Sequence, residues 1–359
     1  MFPKYRYSIM LMAVVALLAA MWAGLIRMGW QWPALQATLP IHHGALMVAG
    51  FFGTLIPLER AVAMGKPWSY LSPLSSGIGA LLVVFGVPGL VGPILMNVGS
   101  LLLVLIFLVV LRDHWAGYTV VMALGAFALF VGNLFWLLGW PVSRFVLWWA
   151  GFLVLTIAGE RLELGRMLRL SRATQFAFGV PVALYLLGLV MMPLRPDMGV
   201  RLTGLASLGL AVWLLRYDIA RRTVKRRGLT RFIAICLLSG YVWLAFSGIL
   251  GMVYGGVASG PMYDAMLHAV FLGFVFSMVF GHAPIIFPAV LGLDIKFRDF
   301  YYAFLIALHT SLLLRIVGEL MGLGWARSWG GLLNVLTLLG FLAAIIRPLQ
   351  RIAAVSKRV

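Results

Sequence analysis

Long apolar runs recur along the whole chain, and they limit its fold more than any other feature. The first extends from Ile9 to Ile26 without a charged residue. About 20 apolar residues are enough for a helix to cross the hydrocarbon core of a bilayer. Only helices and closed β-barrels satisfy their backbone hydrogen bonds in lipid, and these runs are continuous rather than alternating as barrel strands are. The sequence therefore predicts an all-α, polytopic membrane protein.

Composition excludes the other classes of protein. Hydrophobic residues make up 63% of the 359 residues and charged residues 11%, against roughly 45–50% and 25% in soluble domains. A soluble protein of this kind would expose large apolar patches, and a disordered chain needs low hydrophobicity. The single cysteine, Cys236, excludes an intrachain disulfide and a cysteine-ligated metal cluster.

Charged residues, Pro and Gly divide the runs into twelve predicted spans of about 20 residues each. We predict that they form one transmembrane domain over residues 1–359. The predicted limits are 7–28, 41–64, 70–88, 91–111, 117–140, 144–164, 173–192, 198–217, 230–254, 262–290, 298–321 and 328–347.

The distribution of basic residues predicts the orientation of the spans. Lys and Arg number 28 against 10 Asp and Glu, a net charge of +18. With the N-terminus inside, 22 of these 28 cations fall in cytoplasmic segments, as the positive-inside rule requires. This predicts a bacterial-type inner (cytoplasmic) membrane protein with both termini cytoplasmic. Orientation and anionic lipid explain the basic balance, so we expect the lipid bilayer as a partner and no nucleic acid.

Three histidines are predicted to lie at similar depth near the outer face. His42 and His43 open the second span, and His268 lies about two turns into the tenth. Both spans are predicted to run from outside to inside. Imidazoles at matched depth on different helices can hold a haem or a metal ion, or they can bond to backbone carbonyls. The residues alone favour neither interpretation.

Two further histidines, His282 and His309, are predicted near the inner half of spans 10 and 11. If they meet, they can form a proton relay or a weak copper site. A structural hydrogen bond is the favoured interpretation. His114, by contrast, stands beside charged residues at a predicted helix end, where a solvated histidine is expected.

Several charged residues are predicted at span ends. Arg315 and Glu319 are spaced i, i+4 near the outer end of span 11 and are predicted to form an intrahelical ion pair. At the inner ends of spans 2 and 6, Glu59–Arg60 and Glu160–Arg161 are predicted to form ion pairs, with a proton uptake path as the alternative.

The residues around the histidines resemble a known family. His43-Gly-Ala-Leu-Met47, with Phe51, Phe52 and Pro57 behind it, resembles the second helix of haem–copper oxidase subunit I. The run from His268 to Phe287-Pro288 resembles the tenth helix of that subunit. In that family these two helices carry the axial histidines of a low-spin haem.

The chain also departs from that family. The family's catalytic haem histidine stands two residues before the low-spin ligand, where this chain has Met266, and the predicted spans 6 and 7 contain no histidine. The resemblance therefore does not extend to a complete oxygen-reducing centre. The NnrS family of the same superfamily is more similar. The likeness includes the histidines of span 2, Gly159-Glu-Arg161, Gly281-His282 and the Leu-Leu-Leu-Arg that ends at Arg315.

The resemblance implies a haem–copper-oxidase-subunit-I-like bundle of twelve helices. It implies one low-spin, bis-histidine b-type haem with His43 and His268 as ligands to the iron. NnrS proteins are linked to nitric oxide stress, so the implied function is redox chemistry or a nitric oxide response, with a redox partner. Whether the protein is an enzyme stays open; if it is, the resemblance implies an oxidoreductase acting on nitric oxide or a related small molecule.

The resemblance leaves roles for other residues. His42 is expected to replace His43 as the ligand or to hold copper beside it, and His282 and His309 are the further copper candidates. Arg315 is the expected partner of a haem propionate. Two alternatives remain: a copper-handling membrane protein, and a twelve-helix secondary transporter without a metal.

Overall fold

The computed structural model describes residues 5–292 and 296–356, and side chains as far as residue 346. Within these ranges the chain is all-α. It contains twelve helices of 14 residues or more, which we number α1 (Tyr5–Arg27), α2 (Leu39–Met64), α3 (Leu71–Val84), α4 (Val91–Asp113), α5 (Gly117–Leu137), α6 (Val146–Leu164), α7 (Arg172–Met191), α8 (Pro196–Tyr217), α9 (Leu229–Tyr254), α10 (Pro261–Leu291), α11 (Tyr301–Leu320) and α12 (Gly324–Ser356).

Each predicted span coincides with one of these helices. Ten of the helices found in the described residues are long and apolar enough to cross a membrane, so the prediction of a polytopic helical membrane protein is confirmed. The other two are α3, which has 14 residues, and α6, which carries three charged residues near its end. That all twelve cross the bilayer, in an oxidase-like arrangement, remains a prediction. Lys4, Lys357 and Arg358, on which the orientation partly depends, lie outside the described residues.

Local chemistry explains where the helices end. α2 stops at Gly65 and α10 at Gly292, both with a left-handed backbone (φ 69° and 66°) that glycine adopts without strain. α3 ends at Val84, two residues before the left-handed Gly86. The predicted limit of 88 for this span is therefore four residues too long. The hydropathy continues past Val84, but the backbone turns.

Two helices contain a π-helical stretch, which the sequence analysis did not predict. In α2 it covers Leu46–Phe52, and in α10 it covers Ala269–Phe276. A π-helical turn inserts an extra residue into the helix and is frequently found at functional sites. Each stretch begins within three residues after one of the predicted haem ligands, His43 or His268.

The chain divides into two compact units. The first consists of the described residues of Pro3–Ala206 with Gly251–Ala258. Its helices α3 and α4 pack so closely that a Cβ at Gly79 would lie 2.6 Å from the carbonyl oxygen of Gly92. Only glycine therefore fits at position 79. Small residues at such contacts let membrane helices approach each other.

The second unit consists of Ser207–Leu250 with the described residues of Ser259–Val359. Its helices α11 and α12 are equally close. A Cβ at Gly330 of α12 would lie 2.5 Å from the backbone nitrogen of Arg315. The backbone of α11 is therefore fixed at the position from which the Arg315 side chain extends.

Candidate functional site

The first unit holds His43 by a hydrogen bond to a neighbouring helix. His43 Nδ1 lies 2.7 Å from the carbonyl oxygen of Ala20 in α1. A carbonyl oxygen only accepts, so Nδ1 donates and Nε2 carries the lone pair. The ring lies against Gly24, where an added Cβ would be 2.8 Å from Cε1. The absence of a side chain at Gly24 therefore makes the space that the imidazole occupies.

The second unit holds His268 by its own helix. His268 Nδ1 lies 2.9 Å from the carbonyl oxygen of Asp264, one turn earlier in α10, and 3.2 Å from Oδ1 of the same residue. Both are acceptors, so Nδ1 again donates and Nε2 carries the lone pair. His268 is the eighth residue of α10, which confirms the predicted depth of two turns.

His43 and His268 thus share a local design. In each, Nδ1 donates to a backbone carbonyl, and a π-helical stretch follows directly or within three residues. Histidines that bind metals through Nε2 characteristically donate the other ring N–H to a carbonyl or a carboxylate, which fixes the tautomer and the ring plane. The geometry of both side chains therefore fits an axial ligand of a haem.

A buried network of charges surrounds His268. Arg315 Nη2 donates to Asp264 Oδ2 at 2.5 Å, and Arg315 Nε donates to Glu319 Oε1 at 3.2 Å. Arg327 lies 3.7 Å from the same Glu319 oxygen. The predicted intrahelical pair of Arg315 and Glu319 is confirmed. Because Arg315 is already bound to two carboxylates, a haem propionate would have to compete with Asp264 and Glu319 for it.

Sequence reasoning missed Asp264. Its signal was present, since it precedes His268 by four residues and so stands on the same helix face. Asp264 lies at the predicted end of a span, where charged residues are common, so the sequence does not single it out. Only its contact with Arg315, 51 residues away, marks it as part of the site.

His42 has a different environment from His43. Its Nδ1 is buried and has no hydrogen-bond partner among the described residues. Its ring meets that of Trp136 edge-to-face, with centroids 5.9 Å apart. Next to it, Gly44 packs on Trp149, whose indole N–H donates to Asn133 Oδ1 at 2.9 Å. His42 thus packs in an aromatic cluster, whereas His43 is held by a hydrogen bond to a backbone carbonyl.

His282 and His309 are both engaged in hydrogen bonds. Trp243 donates to His309 Nδ1 at 2.9 Å, so the hydrogen of that ring is on Nε2, which lies 2.9 Å from Ser239 Oγ. Both nitrogens of His309 are therefore occupied, as the favoured structural interpretation predicts. His282 Nδ1 bonds to the carbonyl oxygen of Met278 at 2.7 Å. Copper at His309 would have to displace one of its two partners.

The charged residues near the C-terminal ends of α2 and α6 form an ion pair between helices. Arg60 donates to Glu160, which is 100 residues away, and its guanidinium lies 3.8 Å from the neighbouring Glu59. Arg161 is buried. The predicted pair of Glu59 and Arg60 is present, but the closest partner of Arg60 is Glu160 on another helix, and the pairing of Glu160 with Arg161 stays a prediction.

Among the residues that the structure describes, no group of three or more His, Cys, Asp or Glu side chains is placed to hold a metal ion. This search does not test a haem, which takes one ligand from each side of the iron. It leaves copper at His42, His282 or His309 as a prediction from resemblance only.

The model of one protein family, described as a domain of unknown function (DUF8744), matches residues 6–349. The match covers nearly the whole chain, so the protein belongs to this family. No curated protein and no solved structure matches it. The family description names no activity, so the side-chain geometry has to supply the function.

Proposed function

We propose that this member of the DUF8744 family is an NnrS-like integral membrane haem protein with His43 and His268 as axial ligands of one low-spin b-type haem. One observation carries the proposal: both histidines donate Nδ1–H to a backbone carbonyl, and a π-helical stretch begins one residue after His268 and three residues after His43. The likeness of spans 2, 10 and 11 to NnrS proteins supports a role in redox chemistry or in the response to nitric oxide.

The residues of the chain prepare both imidazoles for this task. Each Nδ1 hydrogen bond fixes the ring plane and places the lone pair on Nε2, the atom that would bind the iron. When bound, a haem with two imidazole ligands supplies one-electron transfer. In the six-coordinate state no position is open to a gas, so binding of nitric oxide would require one histidine to leave.

We also propose that the protein lies in a bacterial-type inner membrane with both termini in the cytoplasm. The asymmetric distribution of Lys and Arg supports this orientation. Under this proposal His43 and His268 are near the outer face. An electron donor or acceptor would then approach from that side.

The test is a reduced-minus-oxidised visible spectrum of the purified protein, with copper quantified on the same sample. We expect the sharp α and β bands of a low-spin b haem. His43→Ala and His268→Ala should each remove these bands because the iron loses an axial ligand. His114→Ala, at the exposed end of α4, is the matched control and should keep them.

Two results would overturn the proposal. A fully haem-loaded His268→Ala protein would show that His268 is not a ligand. A wild-type protein without haem would show that the resemblance is one of scaffold alone. Copper in such a sample would favour the copper-handling alternative, and substrate-dependent flux without metal would favour the transporter.

A further inference from the structure

The Nδ1 atom of His268 lies close to hydrogen-bond acceptors and to a hydrogen-bond donor, which require a hydrogen and a lone pair on it, respectively. The carbonyl oxygen of Asp264 at 2.9 Å and its Oδ1 at 3.2 Å are acceptors, which require a hydrogen on Nδ1. Arg315 Nη2, at 3.3 Å, is a donor, which requires a lone pair there. The tautomer of His268 therefore depends on which neighbour prevails.

The carboxylate of Asp264 decides this competition. It accepts from Arg315 Nη2 at 2.5 Å and from Nε at 3.2 Å, so the carboxylate binds the guanidinium more closely than the ring does at 3.3 Å. The charged groups that face each other here are two carboxylates, Asp264 and Glu319, and two guanidinium groups, Arg315 and Arg327. The formal charges of these four groups sum to zero.

Burial limits the hydrogen-bond partners that are available to Arg315. The side chains of Arg315 and Glu319 are 7% and 0% exposed, so water cannot easily replace a lost partner. A guanidinium N–H left without an acceptor in such a place is unfavourable, because a buried charged donor loses its solvation without gaining a partner. If the Asp264 carboxylate is removed, His268 Nδ1 remains as an acceptor 3.3 Å from Nη2.

We infer that Asp264 is a positioning residue for His268. Its carboxylate accepts the hydrogen bonds of Arg315, and His268 therefore stays in the Nδ1–H tautomer. This inference uses the proposed function only for the ligand role of His268. An imidazole with its hydrogen on Nε2 cannot bind iron through that atom. The Arg315–Glu319 pair is then an anchor for Asp264, and not a free site for a propionate.

The experiment measures the tautomer directly, without haem. The apoprotein is prepared in detergent with ¹⁵N-labelled histidine, and the His268 signals are assigned by their loss in His268→Ala. Wild-type His268 should show the shifts of an Nδ1–H imidazole. In Asp264→Ala the shifts should exchange, with the hydrogen on Nε2. The matched control is Asp197→Ala, which breaks an exposed i, i+4 pair with Arg201 and should change nothing at His268.

A second variant separates this role from simple structural damage. In Asp264→Ala/Arg315→Met the competing donor is gone, while the backbone carbonyl at position 264 remains. The Nδ1–H tautomer should therefore return. A merely structural role for Asp264 predicts further damage instead of rescue. If Asp264→Ala does not fold, Asp264→Asn removes the charge at constant size, and the Nε2–H form should then appear in part.

The haem-loaded protein provides an independent readout. Loss of a hydrogen-bond partner behind a ligating histidine usually lowers metal affinity 10–100-fold. We expect at least a tenfold loss of haem affinity in Asp264→Ala and recovery in the double variant. An unchanged Nδ1–H tautomer in both Asp264→Ala and Asp264→Asn would overturn the inference even if the protein binds haem. A tautomer exchange in a protein that never binds haem would uphold the inference and refute the proposed function.

Discussion

The contact between Gly24 and His43 allows a prediction with a magnitude. An alanine Cβ at position 24 would lie 2.8 Å from Cε1 and 3.0 Å from Nδ1 of His43. An ordinary contact begins at 3.4 Å, so the ring would have to move by about 0.6 Å. A well-packed interior has little empty space to accept such a movement. Ala20, which accepts the Nδ1 hydrogen bond at 2.7 Å, lies on the same helix as Gly24. The movement therefore stretches that bond as well.

The cost follows from these two effects. Overpacking a close contact costs about 1–3 kcal/mol, and the weakened hydrogen bond accounts for about 0.5–1.5 kcal/mol of it. Alanine is the better helix former by roughly 1 kcal/mol, which offsets part of the loss. We expect Gly24→Ala to destabilise the protein by about 0–2 kcal/mol, and by about 1–3 kcal/mol relative to an alanine substitution that gains the same propensity without the close contact.

The assay is unfolding in detergent, followed by circular dichroism, with a matched glycine as control. Gly179 lies inside α7 and has nothing within 4 Å of an added Cβ. Gly179→Ala should therefore be neutral or slightly stabilising. In the haem-loaded protein, Gly24→Ala should also weaken the low-spin bands, because His43 is displaced. Equal stability of the Gly24→Ala and Gly179→Ala proteins would refute the reasoning.

Two further contacts allow predictions by variants in pairs. In a double-mutant cycle, Arg60→Ala and Glu160→Ala should show a coupling energy of roughly 1–2 kcal/mol in the free energy of unfolding. The reason is that their direct ion pair is only partly exposed. Additive effects of the two substitutions would contradict this prediction. Trp243→Phe removes the donor to His309 Nδ1 and should cost about 1–3 kcal/mol. The cost should shrink when His309→Phe is also present, and an equal cost in both backgrounds would show that the bond contributes nothing.

The sequence by itself determined the helices and much of the candidate site. Insertion into a bilayer depends on local hydropathy, which is why each predicted span coincides with a helix, although α12 continues to Ser356, nine residues past the predicted limit of 347. The pairing of Arg315 with Glu319 follows from helical spacing alone. His43 and His268 were identifiable because few polar residues occur within apolar runs, so each one attracts attention.

Only the tertiary structure decided which distant groups meet. Arg60 binds Glu160 across 100 residues, and Arg315 binds Asp264 across 51. Such contacts depend on how helices pack against each other, and in a membrane that packing is set by small residues and shape rather than by hydropathy. The π-helical stretches after His43 and His268 are of the same kind, since a one-residue shift in hydrogen bonding leaves no periodic mark in a run that is apolar on all sides.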